Sequence, residues 1–330
     1  MSTPGLQFLV LAAIVAGAGT ALARAADLIA DATGLGRLLV GSVLLAAATS
    51  LPELAVDVAA VRAGHTDLAA GDLLGSSLMN LSILAAIDLC RRNGRKMLSR
   101  EAASHALSAT LAIAVTGLAG CAILTAGKLP AVGLVGIGGW SWAILVAYLL
   151  GARMLFVDQR ISARLAVDQV PSAPRGVWRA GVVFLCSAVV LVMVGPRLAE
   201  VAAELAERSG LGGTFVGTTL VAVTTSLPEL VATLVAVRLG AVDLAIGNVF
   251  GSNAFNMIMF VPLDAVCPGS LFQAVSSAHA VTAFAVIVAT AITILGQLYH
   301  VERRVPLIEP DALLVLCVIG GALALVFHLS

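Results

Sequence analysis

Two glutamates, Glu53 and Glu229, each follow a proline inside an otherwise apolar stretch of the chain. A charged group at the centre of a membrane-spanning helix costs about 2.5–3.5 kcal/mol on insertion scales, so its presence there indicates a function. The surrounding segments, residues 41–80 and 217–256, are two copies of one sequence at a constant offset of 176. Aligned without a gap, 20 of the 40 positions are identical. The chemistry therefore comes as a pair, with one carboxylate from each copy.

Other oxygen donors accompany each glutamate. Pro52 and Pro228 have no N–H, so the helix is predicted to bend or break there and to free the backbone carbonyls four residues earlier. The TSLPE segments add hydroxyl groups, and the GDLLGSS and GNVFGSN segments that follow add a carboxylate and an amide. The predicted metal-binding set comprises Glu53, Glu229, Asp72, Asn248, Thr49, Thr225, Ala48, Thr224, Ser50 and Ser226.

All of these donors are oxygens, with no histidine or cysteine among them. Ca²⁺ takes roughly 6–8 oxygen ligands in flexible geometry, whereas Zn²⁺ and Cu⁺ prefer nitrogen and sulfur. Carboxylates held close together repel each other, which raises their affinity for cations or protons. The pattern therefore predicts a site for Ca²⁺, Na⁺ or H⁺. The structural alternatives are a plain proline kink, which does not account for the glutamates, and protonated glutamates that join helices by hydrogen bonds.

Asp57 lies one helical turn after Glu53 and aligns with Thr233 of the second copy. It is a fourth acidic residue near the predicted site. The sequence leaves open whether it is an additional ligand, a pathway residue, a proton site or a polar side chain in a vestibule without function.

Further polar residues recur in both copies. Asp67 and Asp243 are predicted to start the helices that follow, where the helix dipole favours a negative charge, with a role in ion entry as the alternative. Asn80 and Asn256 are predicted to hold helices together and not to bind ions. The histidines share no spacing, so no role is assigned to them.

The composition is that of a polytopic membrane protein. Of the 330 residues, 60% are hydrophobic and 12% are charged, and the mean hydropathy is +1.04, so little of the chain lies outside the lipid bilayer. The five cysteines show no metal-binding spacing, and no nucleic-acid partner is expected. Because about 20 apolar residues span a bilayer as a helix, the chain divides into ten predicted spans: 5–23, 38–61, 67–90, 103–125, 130–152, 177–196, 211–237, 242–263, 275–298 and 307–329.

Basic residues predict the orientation of these spans. Fifteen lie on one set of alternate loops and four on the other. The positive-inside rule places the fifteen in the cytoplasm, so both termini are predicted on the outer side of a cell (inner) membrane. The longest connection falls at the midpoint and leaves five spans in each half, so the second half enters the membrane from the opposite side. The predicted fold is all-α, with ten transmembrane helices in two inverted-topology five-helix repeats, residues 1–157 and 177–330, joined by a cytoplasmic linker, residues 158–176. Inverted repeats are typical of secondary transporters.

The TSLPE segment followed by GD or GN, two residues and GS, present twice, resembles the two alpha repeats of the prokaryotic sodium/calcium exchanger family, within the cation/calcium antiporters. This resemblance implies that spans two, three, seven and eight enclose the ions and that spans one and six slide across the others to alternate access. It further implies that Glu53 and Glu229 are shared central ligands, completed by Asp72 and Asn248, with Thr49 and Thr225 at flanking cation sites. Ala48 and Thr224 depart from the glycine that the family usually has before TS.

By this resemblance the chain is a secondary antiporter that exchanges Ca²⁺ for Na⁺, and neither an enzyme nor a cofactor-binding protein. The alternatives are Ca²⁺/H⁺ or K⁺-dependent exchange at the same site, a passive cation channel and, more distantly, an intramembrane aspartyl protease that uses Asp57 and Asp72. HExxH, GxSxG and Walker motifs are absent, which leaves zinc hydrolysis and ATP-driven pumping without support. The coupling ion, the stoichiometry, the direction of flux and the oligomeric state do not follow from the sequence.

Overall fold

The computed structural model describes residues 4–90, 102–128, 133–134, 136–165, 176–208, 223–298 and 310–329. These residues form helices and one short antiparallel hairpin, β1 (Gly133–Leu134) with β2 (Ile137–Gly138). A π-helix at Val40–Leu45 joins α2 to α3. The α-helices are α1 (Pro4–Thr33), α2 (Arg37–Leu39), α3 (Ala46–Arg62), α4 (Thr66–Cys90), α5 (Ala102–Thr125), α6 (Gly139–Leu165), α7 (Val177–Arg208), α8 (Leu227–Arg238), α9 (Val242–Ile258), α10 (Phe260–Val266), α11 (Leu271–Ala274), α12 (His279–Leu298) and α13 (Pro310–Leu329).

Within the described residues, eight helical segments are long and apolar enough to cross a membrane. They are α1, Arg37–Arg62, α4, α5, α6, α7, Val242–Val266 and α12. A shorter apolar segment, Ala312–Val326, lies in α13. The prediction of an all-α polytopic membrane protein is thus confirmed. The first part of the predicted seventh span, up to residue 222, lies outside the described residues, so the count of ten spans stays a prediction.

The fifth span differs from its prediction. It begins at Gly139 and not at residue 130, because β1 and β2 occupy part of the expected range. Gly136 adopts a φ of 76° in the hairpin turn, a left-handed conformation that glycine tolerates and helices exclude. At its other end α6 continues to Leu165, so the first residues of the predicted linker are helical. Residues 166–175 of that linker lie outside the described residues.

Among the eight membrane-length segments of the described residues, Val242–Val266 is the most buried, since 83% of its most apolar 18-residue stretch lies inside the protein. The corresponding share is 22% for α1, α6 and α7, which therefore lie at the periphery. Helix α9 packs against α3, α4, α5, α8 and the π-helix. Glycines bring the backbones together, since a Cβ at Gly41 would lie 2.5 Å from the Leu244 carbonyl oxygen, and one at Gly247 would lie 2.6 Å from the Leu38 carbonyl oxygen. Such close crossings of small residues are typical of membrane helices.

Helices α1 and α7 pack against each other and against the core of the bundle, α1 on α8 and α7 on α3. A Cβ at Gly195 of α7 would lie 2.6 Å from Cβ of Pro52, and a Cβ at Gly19 of α1 would lie 3.2 Å from Cγ1 of Val231 and 3.6 Å from the carbonyl oxygen of Pro228. Gly19 and Gly195 are separated by the same offset of 176 as the two sequence copies. The duplication therefore extends to α1 and α7, beyond the aligned 40 residues.

Candidate ion-binding site

The two proline positions have different helix geometry. In the first copy the π-helix leads into α3, which runs through Pro52 without interruption. In the second copy residues 223–225 are helical, a turn follows at Ser226, and Pro228 stands in the first turn of α8. A break is thus present only at the second of these two prolines. Proline tolerates a first turn well, and inside α3 it removes one N–H donor while the neighbouring hydrogen bonds allow the helix to continue.

The two glutamates are buried and receive hydrogen bonds from the opposite copy. Each is 1% exposed. The Ser226 hydroxyl donates to Oε1 of Glu53 at 3.3 Å, and the Ser50 hydroxyl donates to Oε1 of Glu229 at 2.9 Å. Ser50 and Ser226 are equivalent positions, so the two contacts are reciprocal. Ser76 of α4 adds a shorter hydrogen bond to Oε1 of Glu53, at 2.8 Å.

The second carboxylate oxygen of each glutamate has no such donor. Oε2 of Glu53 and Oε2 of Glu229 are both buried without a hydrogen-bond partner in the described part of the chain. A buried acceptor left without a donor costs about 1–3 kcal/mol, and more when it is charged. Two such oxygens, one from each half, are the ligand type that a hard cation takes.

A second reciprocal pair links the helices that follow. The Thr49 hydroxyl donates to Oδ1 of Asn248 at 3.5 Å, and the Thr225 hydroxyl donates to Oδ1 of Asp72 at 3.4 Å. These four residues again occupy equivalent positions in the two copies. The threonines of one copy thus contact the aspartate or asparagine of the other, as a two-fold relation between the copies requires.

The reciprocal pattern of contacts continues farther along α4 and α9. Nδ2 of Asn80 donates to Oδ1 of Asn253 at 3.0 Å, and Nδ2 of Asn256 lies 3.5 Å from the hydroxyl of Ser77 and 3.3 Å from the carbonyl oxygen of Leu73. The prediction that Asn80 and Asn256 join helices is therefore confirmed. Both also have a buried Oδ1 with no hydrogen-bond partner among the described residues.

The prediction left out two buried serines, one in α4 and one in α9. Ser76 bonds to Glu53, and its equivalent Ser252 is fully buried with a hydroxyl that bonds to no described residue. Both stand in the GS dipeptides of the recurring motif. Their position one turn after Asp72 and Asn248 is the signal from which they could have been found, since i and i+4 share a helix face.

A narrow cleft lies beside the site, between the peripheral pair α1 and α7 and the core. It encloses about 230 Å³ of atom-free space, part of it open to the outside, but it has no room for a water molecule. Ala48 and Thr224, whose carbonyl groups lose a donor to the prolines, are 4% and 6% exposed. The cleft is lined by Val15, Pro52, Glu53, Val56, Gly195, Leu198, Thr224, Thr225 and Pro228.

Two histidines pair with the aspartates that open α4 and α9. Nε2 of His279 lies 3.3 Å from Oδ1 of Asp67, and Nε2 of His105 lies 3.0 Å from Oδ1 of Asp243. The sequence assigned no role to the histidines, and this is wrong for these two. His105 joins α5 to the start of α9, and His279 joins α12 to the start of α4. Their separation differs from 176, so the sequence alignment does not show them.

Carboxylates alone do not make up the site. In the part of the chain that the structure describes, no three His, Cys, Asp or Glu side chains form a group that could hold a metal ion by themselves. A cation bound here must draw on hydroxyl, amide and carbonyl oxygens as well. The structure brings such groups together around Glu53 and Glu229, which is the donor chemistry of Ca²⁺ and Na⁺ and not of Zn²⁺.

Comparison with known proteins gives a consistent result. The family described as "Sodium/calcium exchanger protein" matches residues 4–157 and 179–326. The putative antiporter CaxA of Alkalimonas amylolytica is 27% identical over 282 residues, which are 84% of this chain and 86% of that protein. The sodium/calcium exchanger MaX1 of Methanosarcina acetivorans is 45% identical over 83 residues, 25% of this chain and 23% of that one. A solved structure of the sodium-calcium exchanger NCX_Mj superposes with a TM-score of 0.72, at 17% identity and over 98% of this chain and 99% of that chain.

Proposed function

Because the chain belongs to the sodium/calcium exchanger family, we propose that it exchanges Ca²⁺ for Na⁺ across a membrane at the site between Glu53 and Glu229. The family consists of multi-pass membrane transporters, and antiport of cations is the function that its members share with this chain. The choice of Ca²⁺ and Na⁺ as the two ions, and the way in which they cross, are the specific content of the proposal.

One observation carries the proposal most directly. Glu53 and Glu229 come from opposite copies, are both buried, and each has one oxygen held by serine and one oxygen without a partner in the described chain. The held oxygens fix the orientation of the carboxylates. The free oxygens then provide a preformed, negatively charged position for a cation, and the neighbouring hydroxyl and amide oxygens supply the further ligands that Ca²⁺ needs.

Exchange follows from competition for these oxygens. Ca²⁺ binds the two glutamates on one stroke, and Na⁺ binds overlapping oxygens on the return stroke. The empty site carries uncompensated buried charge, which is costly in a low-dielectric environment. Access to the site therefore switches from one side of the membrane to the other only while Ca²⁺ or Na⁺ is bound. This requirement couples the two fluxes.

Access alternates, in this proposal, by movement of α1 and α7 along α8 and α3. The peripheral pair borders a narrow cleft that Glu53 lines in part. Glycines at the two contacts, Gly19 and Gly195, present no side chain to the opposing helix, which allows sliding without interlocking side chains. The pair therefore opens the site to one side of the membrane at a time.

The same site accommodates Ca²⁺/H⁺ or K⁺-dependent exchange as alternatives to Na⁺, and the test must separate them. The aspartyl-protease alternative has no support from the family match, which is to a transporter.

The test is ⁴⁵Ca²⁺ uptake into proteoliposomes that contain the purified protein. One set has an outward Na⁺ gradient at equal pH, and a second has an outward H⁺ gradient without Na⁺. We expect uptake in the first set only, and its loss in Glu53→Gln and Glu229→Gln. Uptake driven by H⁺ alone would show that the coupling ion is H⁺ and not Na⁺. No uptake under either gradient would contradict calcium exchange. A Glu200→Gln variant, whose side chain is 63% exposed on α7, is the matched control and should transport like the wild type.

A further inference from the structure

The connection between α1 and α2 is a short turn that contains two glycines. Gly34 adopts a φ of 66° and Gly36 a φ of 81°, and both values lie in the left-handed region that glycine tolerates. The same residues recur at the constant offset of 176, since Gly34, Leu35 and Gly36 correspond to residues 210–212, which are also Gly, Leu and Gly. Both halves of the chain therefore have the same glycines directly after the peripheral helix, α1 or α7.

An arginine bridges this turn in the first half. Nε of Arg37, the first residue of α2, lies 2.6 Å from Oδ1 of Asp27. A terminal guanidinium nitrogen of Arg37 lies 3.0 Å from the carboxylate of Asp31. Both aspartates belong to the last two turns of α1. The two ion pairs therefore join the end of α1 to the start of α2 across the glycine turn.

The α2 side of the turn is fixed to the core of the bundle. Helix α2 and the π-helix after it pack against α9, where a Cβ at Gly41 would lie 2.5 Å from the carbonyl oxygen of Leu244. Backbones in such close contact cannot shift along each other without a collision. A movement of α1 along α8 must therefore be taken up at the turn, and it must lengthen the ion pairs of Arg37.

The second half lacks the residues for such a bridge at the corresponding positions. Arg37 corresponds to Gly213, and Asp27 corresponds to Ala203. The third position keeps an acidic residue, Glu207, but the basic partner is missing from the aligned sequence. The glycines of the turn are thus common to both halves, whereas the ion pairs across it belong to the first half.

We propose that Arg37, Asp27 and Asp31 form a latch that holds α1 in the position seen here and that has no counterpart after α7. The inference rests on the proposed function, in which α1 and α7 move along α8 and α3. The latch makes the two ends of this movement unequal, because it stabilises only the position in which α1 is drawn against α2. In the predicted orientation of the chain, the latch lies at the cytoplasmic end of the bundle.

The exposure of the three side chains sets the size of the effect. Arg37 is 39% exposed, Asp27 18% and Asp31 55%. The loss of one ion pair of this kind changes an equilibrium by about two- to fivefold. The latch therefore biases the movement of α1 and does not block it. Dissolved salt weakens the latch, because salt screens exposed charges.

The experiment measures the position of α1 by pulsed electron paramagnetic resonance between two spin labels. The labels are attached at Leu9→Cys in α1 and Leu68→Cys in α4, which are 65% and 57% exposed and lie at the end of the bundle opposite Arg37. The five native cysteines are replaced by alanine, and the full-length protein is studied in lipid nanodiscs with saturating Ca²⁺. We expect two distances in the labelled parent protein. Arg37→Gln should lower the population of the distance seen here, relative to the other, by about two- to fivefold.

Arg208→Gln is the matched control, because Arg208 forms an ion pair with Glu204 of its own helix, α7. It should leave the ratio of the two populations unchanged. An increase in choline chloride should shift the parent protein toward the ratio of Arg37→Gln and have a smaller effect on that variant. Equal ratios in the parent protein and Arg37→Gln, or a single distance in both, would overturn the latch.

Uptake of ⁴⁵Ca²⁺ by the wild type separates this inference from the proposed function. A wild type that takes up no Ca²⁺ under either cation gradient contradicts the proposed function, while the ratio of distances still decides whether Arg37 holds α1. A wild type that exchanges Ca²⁺, together with equal ratios in the parent protein and Arg37→Gln, contradicts the latch only.

Discussion

At the scale of residues, the site is defined by which oxygens already have a donor and which do not. Glu53 and Glu229 each have one carboxylate oxygen bonded to serine and one free of hydrogen bonds in the described residues. The serines therefore orient the carboxylates, and in the proposed function the free oxygens bind the ion. This division of roles predicts a graded response to substitution, with the carboxylates essential and the serines supporting.

Ser76→Ala tests the supporting role. The Ser76 hydroxyl donates to Glu53 at 2.8 Å, and a hydrogen bond to a charged group contributes about 1.5–3 kcal/mol. We expect the half-saturating Ca²⁺ concentration to rise about tenfold or more, as measured by ⁴⁵Ca²⁺ uptake at varied Ca²⁺. Ser82→Ala is the matched control on the same helix, because Ser82 donates to the carbonyl oxygen of Leu78 and not to the site. Equal behaviour of the two variants would show that Ser76 does not orient Glu53.

At the scale of elements, the site depends on close approach between helices. Gly251 shows this most clearly, since a Cβ there would clash with the carbonyl oxygen of Ser42 in the π-helix. A backbone atom cannot rotate away as a side chain can. The π-helix and α9 are therefore held in one relative position, while α1 and α7 contact the core through glycines that face side chains or single carbonyl groups.

Gly195→Ala tests the contact between α7 and α3. The added Cβ would lie 2.6 Å from Cβ of Pro52, and overpacking of this kind typically costs about 1–3 kcal/mol, against a gain of about 1 kcal/mol in helix propensity. We expect a lower apparent melting temperature in detergent and slower Ca²⁺ exchange. Gly181→Ala is the control on the same helix, where a Cβ meets nothing within 4 Å. If Gly195→Ala is as stable and as active as Gly181→Ala, the contact does not limit the movement of α7.

The sequence predicted the elements and most of the site because duplication makes its signal visible twice. The recurrence of TSLPE and of the GD or GN motif identified the glutamates, the threonines and Asp72 with Asn248, and the structure brings these together. The hairpin at Gly133–Gly138 was missed because its apolar residues fit a membrane span by composition. Hydrophobicity and spacing do not encode tertiary packing. Three features depend on that packing: the unbroken helix at Pro52, the π-helix before it and the histidine pairs.

At the scale of the whole molecule, the two copies meet through reciprocal contacts at three levels: serine to glutamate, threonine to asparagine or aspartate, and asparagine to asparagine or serine. The same offset relates Gly19 of α1, which lies beside Val231 and the Pro228 carbonyl, and Gly195 of α7, which lies beside Pro52. The candidate site thus receives equivalent groups from both halves of the chain. If the two halves have the predicted inverted topology, such a site presents related surfaces to the two sides of the membrane, as in many secondary transporters.

The central claim is that Ca²⁺ and Na⁺ compete for the carboxylates of Glu53 and Glu229. The most direct measurement is equilibrium binding of ⁴⁵Ca²⁺ to the purified protein at increasing Na⁺, with choline keeping the ionic strength constant. The account predicts that Na⁺ raises the half-saturating Ca²⁺ concentration progressively while the Ca²⁺ bound at the central site at saturation stays the same, and that Glu53→Gln abolishes this central binding. A Ca²⁺ affinity that does not respond to Na⁺, or a loss of capacity at unchanged affinity, would contradict a shared site.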